Sequence, residues 1–124
     1  AGGGSISSTT TATTQPVGTN NSTIATTAFV IANAFGGGQT WQLVTSSRSP
    51  GVAYTNSTGR AISVAIALAD YFGGTFAWEF YINSVLINGS GGDFGGQVFM
   101  IVPAGSIYQL NLGNVAIGEW AEYR

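Results

Sequence analysis

The chain has 124 residues and eight charged side chains, three Arg and five acids, with no Lys, His or Cys. That is 6% charged against about 25% in an ordinary globular domain, or about one charge per 800 Å² of the roughly 6,000 Å² that a folded monomer of this size exposes, so the surface is expected to be dressed in neutral polar groups and covered by another chain. Three cations cannot neutralise a row of phosphates, which argues against nucleic acid; no run of 18 apolar residues offers a membrane span; and without Cys there is neither a disulfide nor a thiolate metal site.

Residues 1–22 hold ten Ser or Thr among Gly, Ala and Asn, with Ile6 and Val17 as the only aliphatics larger than Ala. No basic segment leads into an apolar core, so the start is not a signal peptide, and its Gly-rich text reads as part of a longer chain or a tag remnant. Such a stretch buries too little apolar surface to offset its ordering entropy. An extended shaft or linker over 1–22 follows.

Residues 23–35 predict a short helix, capped by Asn21 or Ser22 and stopped by Gly36-Gly37-Gly38. Ile24, Ala28, Ile31 and Phe35 fall at i, i+4, i+7 and i+11, one face of a helix. Thirteen residues with three β-branched Thr are marginal alone in water, so this neck, 23–38, needs a partner. It packs either on the domain that follows or, in the reading we favour, on its own copies around an axis.

Residues 39–124 read as a β domain. From Ala61 to Ala69, Ile62, Val64, Ile66 and Leu68 face one way and Ala61, Ser63, Ala65, Ala67 and Ala69 the other, a core face backed by small residues that invite a second surface. Phe76, Trp78, Phe80 and Ile82 repeat the alternation with aromatics, which makes Trp78 a core residue; Trp41 and Trp120 seal the ends of the core or a subunit interface. Further strands are expected near 41–46, 52–55, 84–88, 97–103, 106–112 and 117–123, separated by Gly-, Pro- and Asn-rich turns. About eight short strands indicate an antiparallel β-sandwich.

Pro16-Val17-Gly18-Thr19-Asn20-Asn21-Ser22-Thr23-Ile24-Ala25-Thr26-Thr27-Ala28-Phe29-Val30 resembles the segment just ahead of the tip in bacteriophage and prophage tail fibres, most specifically at Ile24 to Val30. The domain after it resembles a fibre tip: Gly38-Gln39-Thr40-Trp41-Gln42, Tyr54-Thr55-Asn56-Ser57-Thr58-Gly59, Val102-Pro103-Ala104-Gly105-Ser106-Ile107-Tyr108 and the closing Trp120-Ala121-Glu122-Tyr123-Arg124. The resemblance implies an intertwined homotrimer in the virion, at the distal end of the tail fibre. It also implies attachment to lipopolysaccharide, another envelope glycan or an outer-membrane protein, and often a dedicated assembly chaperone. Its motif is architectural and transfers no binding residues. The alternatives are a trimerisation or capping module without receptor specificity, and a bacterial surface adhesin.

Candidate chemistry is sparse. With no His, Cys or Lys, acid–base work would fall on carboxylates; Glu79, Asp93, Glu119 and Glu122 form no motif, and the expectation is a non-enzyme without cofactor. Gly91-Gly92-Asp93-Phe94-Gly95-Gly96 is one copy of a loosely calcium-like repeat, too few oxygens for a hard cation, and no metal is expected. Asn20, Asn21, Asn56 and Asn88 match glycosylation acceptors, as chance dictates in so Asn/Ser/Thr-rich a chain. Glycan binding fits the inventory best, because rings stack on sugar faces while amides, carboxylates and guanidinium bond hydroxyls. If strands run up and down, the turns at 47–52, 70–75, 89–96 and 113–115 share the end opposite chain entry. They carry Arg48, Asp70, Tyr71, Phe72, Asp93, Phe94 and Asn114 as receptor-binding candidates.

Overall fold

The computed structural model describes residues 12–22, 24–71, 76–92 and 96–124, with residues 70, 71, 76 and 90–92 described by backbone course only. The alternating segments become eight strands among these residues: β1 Trp41–Leu43, β2 Ala53–Thr55, β3 Ile62–Tyr71, β4 Phe76–Ile82, β5 Val85–Gly92, β6 Gln97–Val102, β7 Ile107–Gly113 and β8 Val115–Tyr123. They pair antiparallel into two four-stranded sheets, β1-β8-β3-β6 and β2-β7-β4-β5.

The inward residues of both sheets meet. Ile62, Val64 and Ile66 of β3, Val98 and Val102 of β6 and Trp120 of β8 are buried with Trp78 and Phe80 of β4 and Tyr108 and Leu110 of β7. Burying each large apolar side chain of this kind contributes roughly 1.5–3 kcal/mol, so this layer is the main source of stability. Tyr54 joins it with its ring 5.9 Å from that of Tyr108 and 6.1 Å from that of Trp120. Trp120 thus lies in the core, whereas Trp41 stands exposed on an outer sheet face.

Register fixes the two ends of the molecule. Trp41 pairs with Tyr123, Ile62 with Val102, Thr55 with Ile107 and Ile82 with Val85, so these positions lie at the end where the chain enters. Tyr71 pairs with Val115, Ala77 with Gly113 and Phe76 with Gly92 at the far end. The entry end is tied by Asn56, a buried side chain whose Nδ2 donates to the carbonyls of Arg60 (2.7 Å), Val102 and Pro103 (both 3.0 Å) while its Oδ1 accepts from the N–H and hydroxyl of Thr58. This role has nothing to do with the acceptor motif that Asn56 also matches. At Asn83-Ser84 both φ angles are positive (50° and 65°), the backbone that a two-residue hairpin between twisted strands requires.

The neck is shorter than its sequence predicts. The helix, α1, spans Thr27–Asn33, and Thr26 caps it by accepting from the Phe29 N–H. A hydroxyl this close to a free helical N–H competes with continuation of the helix toward residue 23. Ile24 therefore precedes the helix and Phe35 follows it, so the expected four-residue stripe is not one helical face; only Ala28 and Ile31 of the four lie on α1. The chain then turns back so tightly that a Cβ on Gly37 would stand 1.8 Å from the Ile31 carbonyl oxygen. Gln39, buried, locks this turn to the sheets: Oε1 accepts from the Gly36 N–H, and Nε2 donates to the carbonyls of Ala61 and Tyr123. Arg60 Nη1 donates to the Gly37 carbonyl. Upstream, Gly18 N–H donates to Asn33 Oδ1 and the Thr14 and Thr26 hydroxyls bond each other, so residues 14–18 lie along the neck.

Candidate functional site

Three of the seven expected receptor-binding positions are described at the far end. β3 ends there with Asp70 and Tyr71, and Asn114 forms the one-residue link from β7 to β8 with a left-handed φ of 55°, which Asn tolerates better than most residues. Phe72, Asp93 and Phe94 lie outside the described residues.

Arg48 is not with them. β1 stops after three residues because Thr45 Oγ1 accepts the Trp120 N–H in place of a ladder bond. The 3₁₀ turn Thr45–Ser47 then carries the chain sideways from the first sheet to the second, where Gly51 N–H donates to the Leu110 carbonyl. The 47–52 turn thus runs along the flank at mid-height. Its Arg48 points inward and grips Glu122.

Glu122 is the charged centre of the molecule, and nothing in the sequence singles it out. Its side chain is 0% exposed. Oε1 accepts from Arg48 Nε at 2.8 Å and from the Tyr108 hydroxyl at 2.6 Å, and Oε2 accepts from Arg48 Nη2 at 2.9 Å and Arg124 Nη1 at 2.8 Å. Burial alone would raise its pKa; the hydrogen bonds from Arg48 and Tyr108 and the two guanidinium charges outweigh this and hold it below the ordinary carboxylate range. Burial, then the hydrogen bond to Glu122, pushes the Tyr108 phenol well up, so it stays a donor. Arg48 also lies 4.5 Å from the centroid of the Tyr54 ring. The cluster joins β8, β7 and the β1–β2 crossing. Its chemistry is structural, since every carboxylate oxygen is already engaged.

The outer face of the first sheet is largely apolar over two cross-strand rows, with Gln97 and Glu119 beside Ala67 on the row beyond. One cross-strand row reads Leu43, Ala121, Ala65, Phe99 and the next Trp41, Tyr123, Ser63, Ile101. Leu43 is 68% exposed, Phe99 60%, Ile101 55% and Trp41 54%. Large side chains on the two edge strands thus stand either side of a furrow floored by Ala65, Ala67 and Ala121, the small-residue face of β3 with its neighbours added. Exposed apolar patches of this extent mark interaction sites more often than free surface. The neck continues it: Phe35 sets its ring edgewise on Tyr123 at 5.9 Å, Tyr123 lies 5.4 Å from Trp41, and Ile24, Val30 and Ile31 are all exposed.

The carboxylates weighed for catalysis point apart. Glu79 lies on the outer face of the second sheet, Glu119 on the outer face of the first and Glu122 between them; Asp93 is outside the described residues. Among the described residues no three His, Cys, Asp or Glu side chains cluster as metal ligands, and no helix is long and apolar enough to cross a membrane. No family model matches the chain, and neither a curated protein nor a solved structure matches it significantly.

Proposed function

We propose that this chain is the terminal attachment module of a self-associating fibre, a bacteriophage tail-fibre tip that holds the virion to a bacterial surface glycan. The observation that carries the reading is the polarity of the two-sheet body. The body is entered at one end, where Thr40 and Arg124 exchange backbone hydrogen bonds, and β3, β5 and β7 finish at the opposite end, at Tyr71, Gly92 and Gly113. Loops held out by a rigid scaffold are where binding groups concentrate. The furrowed apolar face and the exposed neck supply what three parallel copies would bury against one another, and they account for a surface with so few charges.

The continuity of that apolar face with the neck also favours a second reading, a trimerisation or capping module with no receptor of its own. Retention of fluorescently labelled full chain on intact bacteria separates the two. The attachment reading expects saturable retention that extracted envelope glycan competes away and that Tyr71→Ala or Asp93→Ala abolishes while the assembly mass is unchanged. A wild-type chain that forms its oligomer yet is retained on no strain, including a host of the parent phage, would leave only the structural role.

A further inference from the structure

The outer face of the second sheet contrasts with that of the first. Its central row reads Ala53, Gln109, Tyr81, Leu86 across β2, β7, β4 and β5, and the next row places Asn111 opposite Glu79 and Glu79 opposite Gly89. Two depressions lie along it. One, of about 410 Å³, is lined by Ala53, Tyr81, Ile107, Gln109 and Asn111; the other, of about 260 Å³, by Ala77, Glu79, Asn111 and Gly113. Asn111 borders both, so they form one trough. Small residues, Ala53, Ala77 and Gly113, keep its floor low.

The polar groups are paired in a way that fixes what they offer. Gln109 Nε2 donates to Asn111 Oδ1 at 2.7 Å, and the Tyr81 hydroxyl donates to Glu79 Oε2 at 2.8 Å. With Gln109 Nε2 and Asn111 Oδ1 engaged with each other and Glu79 Oε2 engaged by Tyr81, the groups left to meet a ligand are the Gln109 carbonyl oxygen, the other Glu79 oxygen and the Asn111 amide. These acceptors and donors line the trough together with Tyr81, Ala53 and Ile107. A ligand matching this has hydroxyls, each both donor and acceptor, on an otherwise carbon-rich ring. The chain's three Arg and absence of Lys and His set its charge. Arg48 and Arg124 are held on Glu122, and Arg60 bonds the Gly37 carbonyl. No cation borders the trough, and Glu79 does, so a phosphorylated or carboxylated ligand is disfavoured.

We propose that this trough binds a neutral oligosaccharide, one sugar unit in each depression, with Asn111 bridging them and Tyr81 as the stacking ring. The inference rests on the reading of the chain as a glycan-attachment module and names the ligand class, on a face distinct from the far-end loops.

The test uses the full chain over immobilised linear trisaccharides of glucose, galactose, mannose and N-acetylglucosamine, with a phosphorylated mannan as the anionic control. At least one neutral trisaccharide should be retained, the control should not, and Asn111→Ala and Gln109→Ala should each weaken retention at least tenfold. Both side chains project outward, so near-ultraviolet circular dichroism and assembly mass should match wild type and verify that the fold is intact. Retention of no neutral member, or equal retention by both variants, would overturn the trough. If bacterial retention is lost only with Tyr71→Ala and survives Asn111→Ala and Gln109→Ala, the trough falls and the attachment reading stands. If a trisaccharide is bound through Asn111 but no bacterium retains the chain, the trough stands and the attachment reading falls.

Discussion

Replacing Glu122 by Gln keeps shape and volume and removes one charge from a fully buried site. Arg124, with 27% of its side chain exposed, can turn toward water, but Arg48 is 13% exposed and remains under the Tyr54 ring with its carboxylate gone. Removing one partner of a buried ion pair typically costs 3–5 kcal/mol, because the other charge stays desolvated; with one of the two arginines free to escape, about 3 kcal/mol is expected. That is a large fraction of the roughly 5–15 kcal/mol that stabilises a domain, and in a domain of this size it lowers Tm by about 12–24 °C. Urea unfolding followed by tryptophan fluorescence reads it directly. Glu122→Leu combined with Arg48→Met should recover part of the loss of Glu122→Leu alone, since an apolar pair leaves no stranded charge. A loss below about 1 kcal/mol for Glu122→Gln, against the buried-pair expectation, would refute the placement of this carboxylate in the core.

The same group sets the acid limit. Its folded pKa lies below the unfolded one, so its stabilisation is complete above the unfolded value of about 4.3 and is lost as pH falls through the folded value. The stability gap between wild type and Glu122→Gln should be constant from pH 5 to 8 and narrow below pH 4; a gap that widens in acid would contradict it. Asn56→Ala would remove the amide donor from the Val102 carbonyl, while the Arg60 carbonyl keeps the Thr58 hydroxyl and the Pro103 carbonyl the Ser106 N–H; it should cost about 2 kcal/mol in the same urea assay, at roughly 1–3 kcal/mol per buried unsatisfied group. Phe99→Lys, on the apolar outer face, should change monomer stability by no more than about 0.5 kcal/mol yet dissociate the proposed oligomer, because an unpaired ammonium in an interface costs several kcal/mol per copy. Sedimentation velocity would detect that change.

What the sequence made legible was local. The alternation of Ile62, Val64 and Ile66 and of Trp78 and Phe80 placed two central strands and their inward faces, and the turn residues bounded the rest to within a few positions. Apolar spacing overstates the helix, because Thr26 serves as a cap inside a segment whose apolar spacing extends to either side of it. Glu122 was invisible for a different reason. Its burial depends on Arg48, 74 residues earlier, and on Tyr108 across the sheets, and an acid near the end of a chain otherwise reads as surface. The trough was likewise out of reach, since register alone sets Tyr81 beside Gln109 and Glu79 beside Asn111. Strand counting puts Arg48 at the wrong end because it assumes an end-to-end turn where the β1–β2 crossing runs sideways.

The proposed self-association through the neck and the furrowed face would cover the exposed Trp41, Leu43, Phe99 and Ile101. Light scattering coupled to size exclusion measures it with the least inference. A concentration-independent mass three times 12.7 kDa is the predicted result. A stable monomer of 12.7 kDa at every concentration would contradict it.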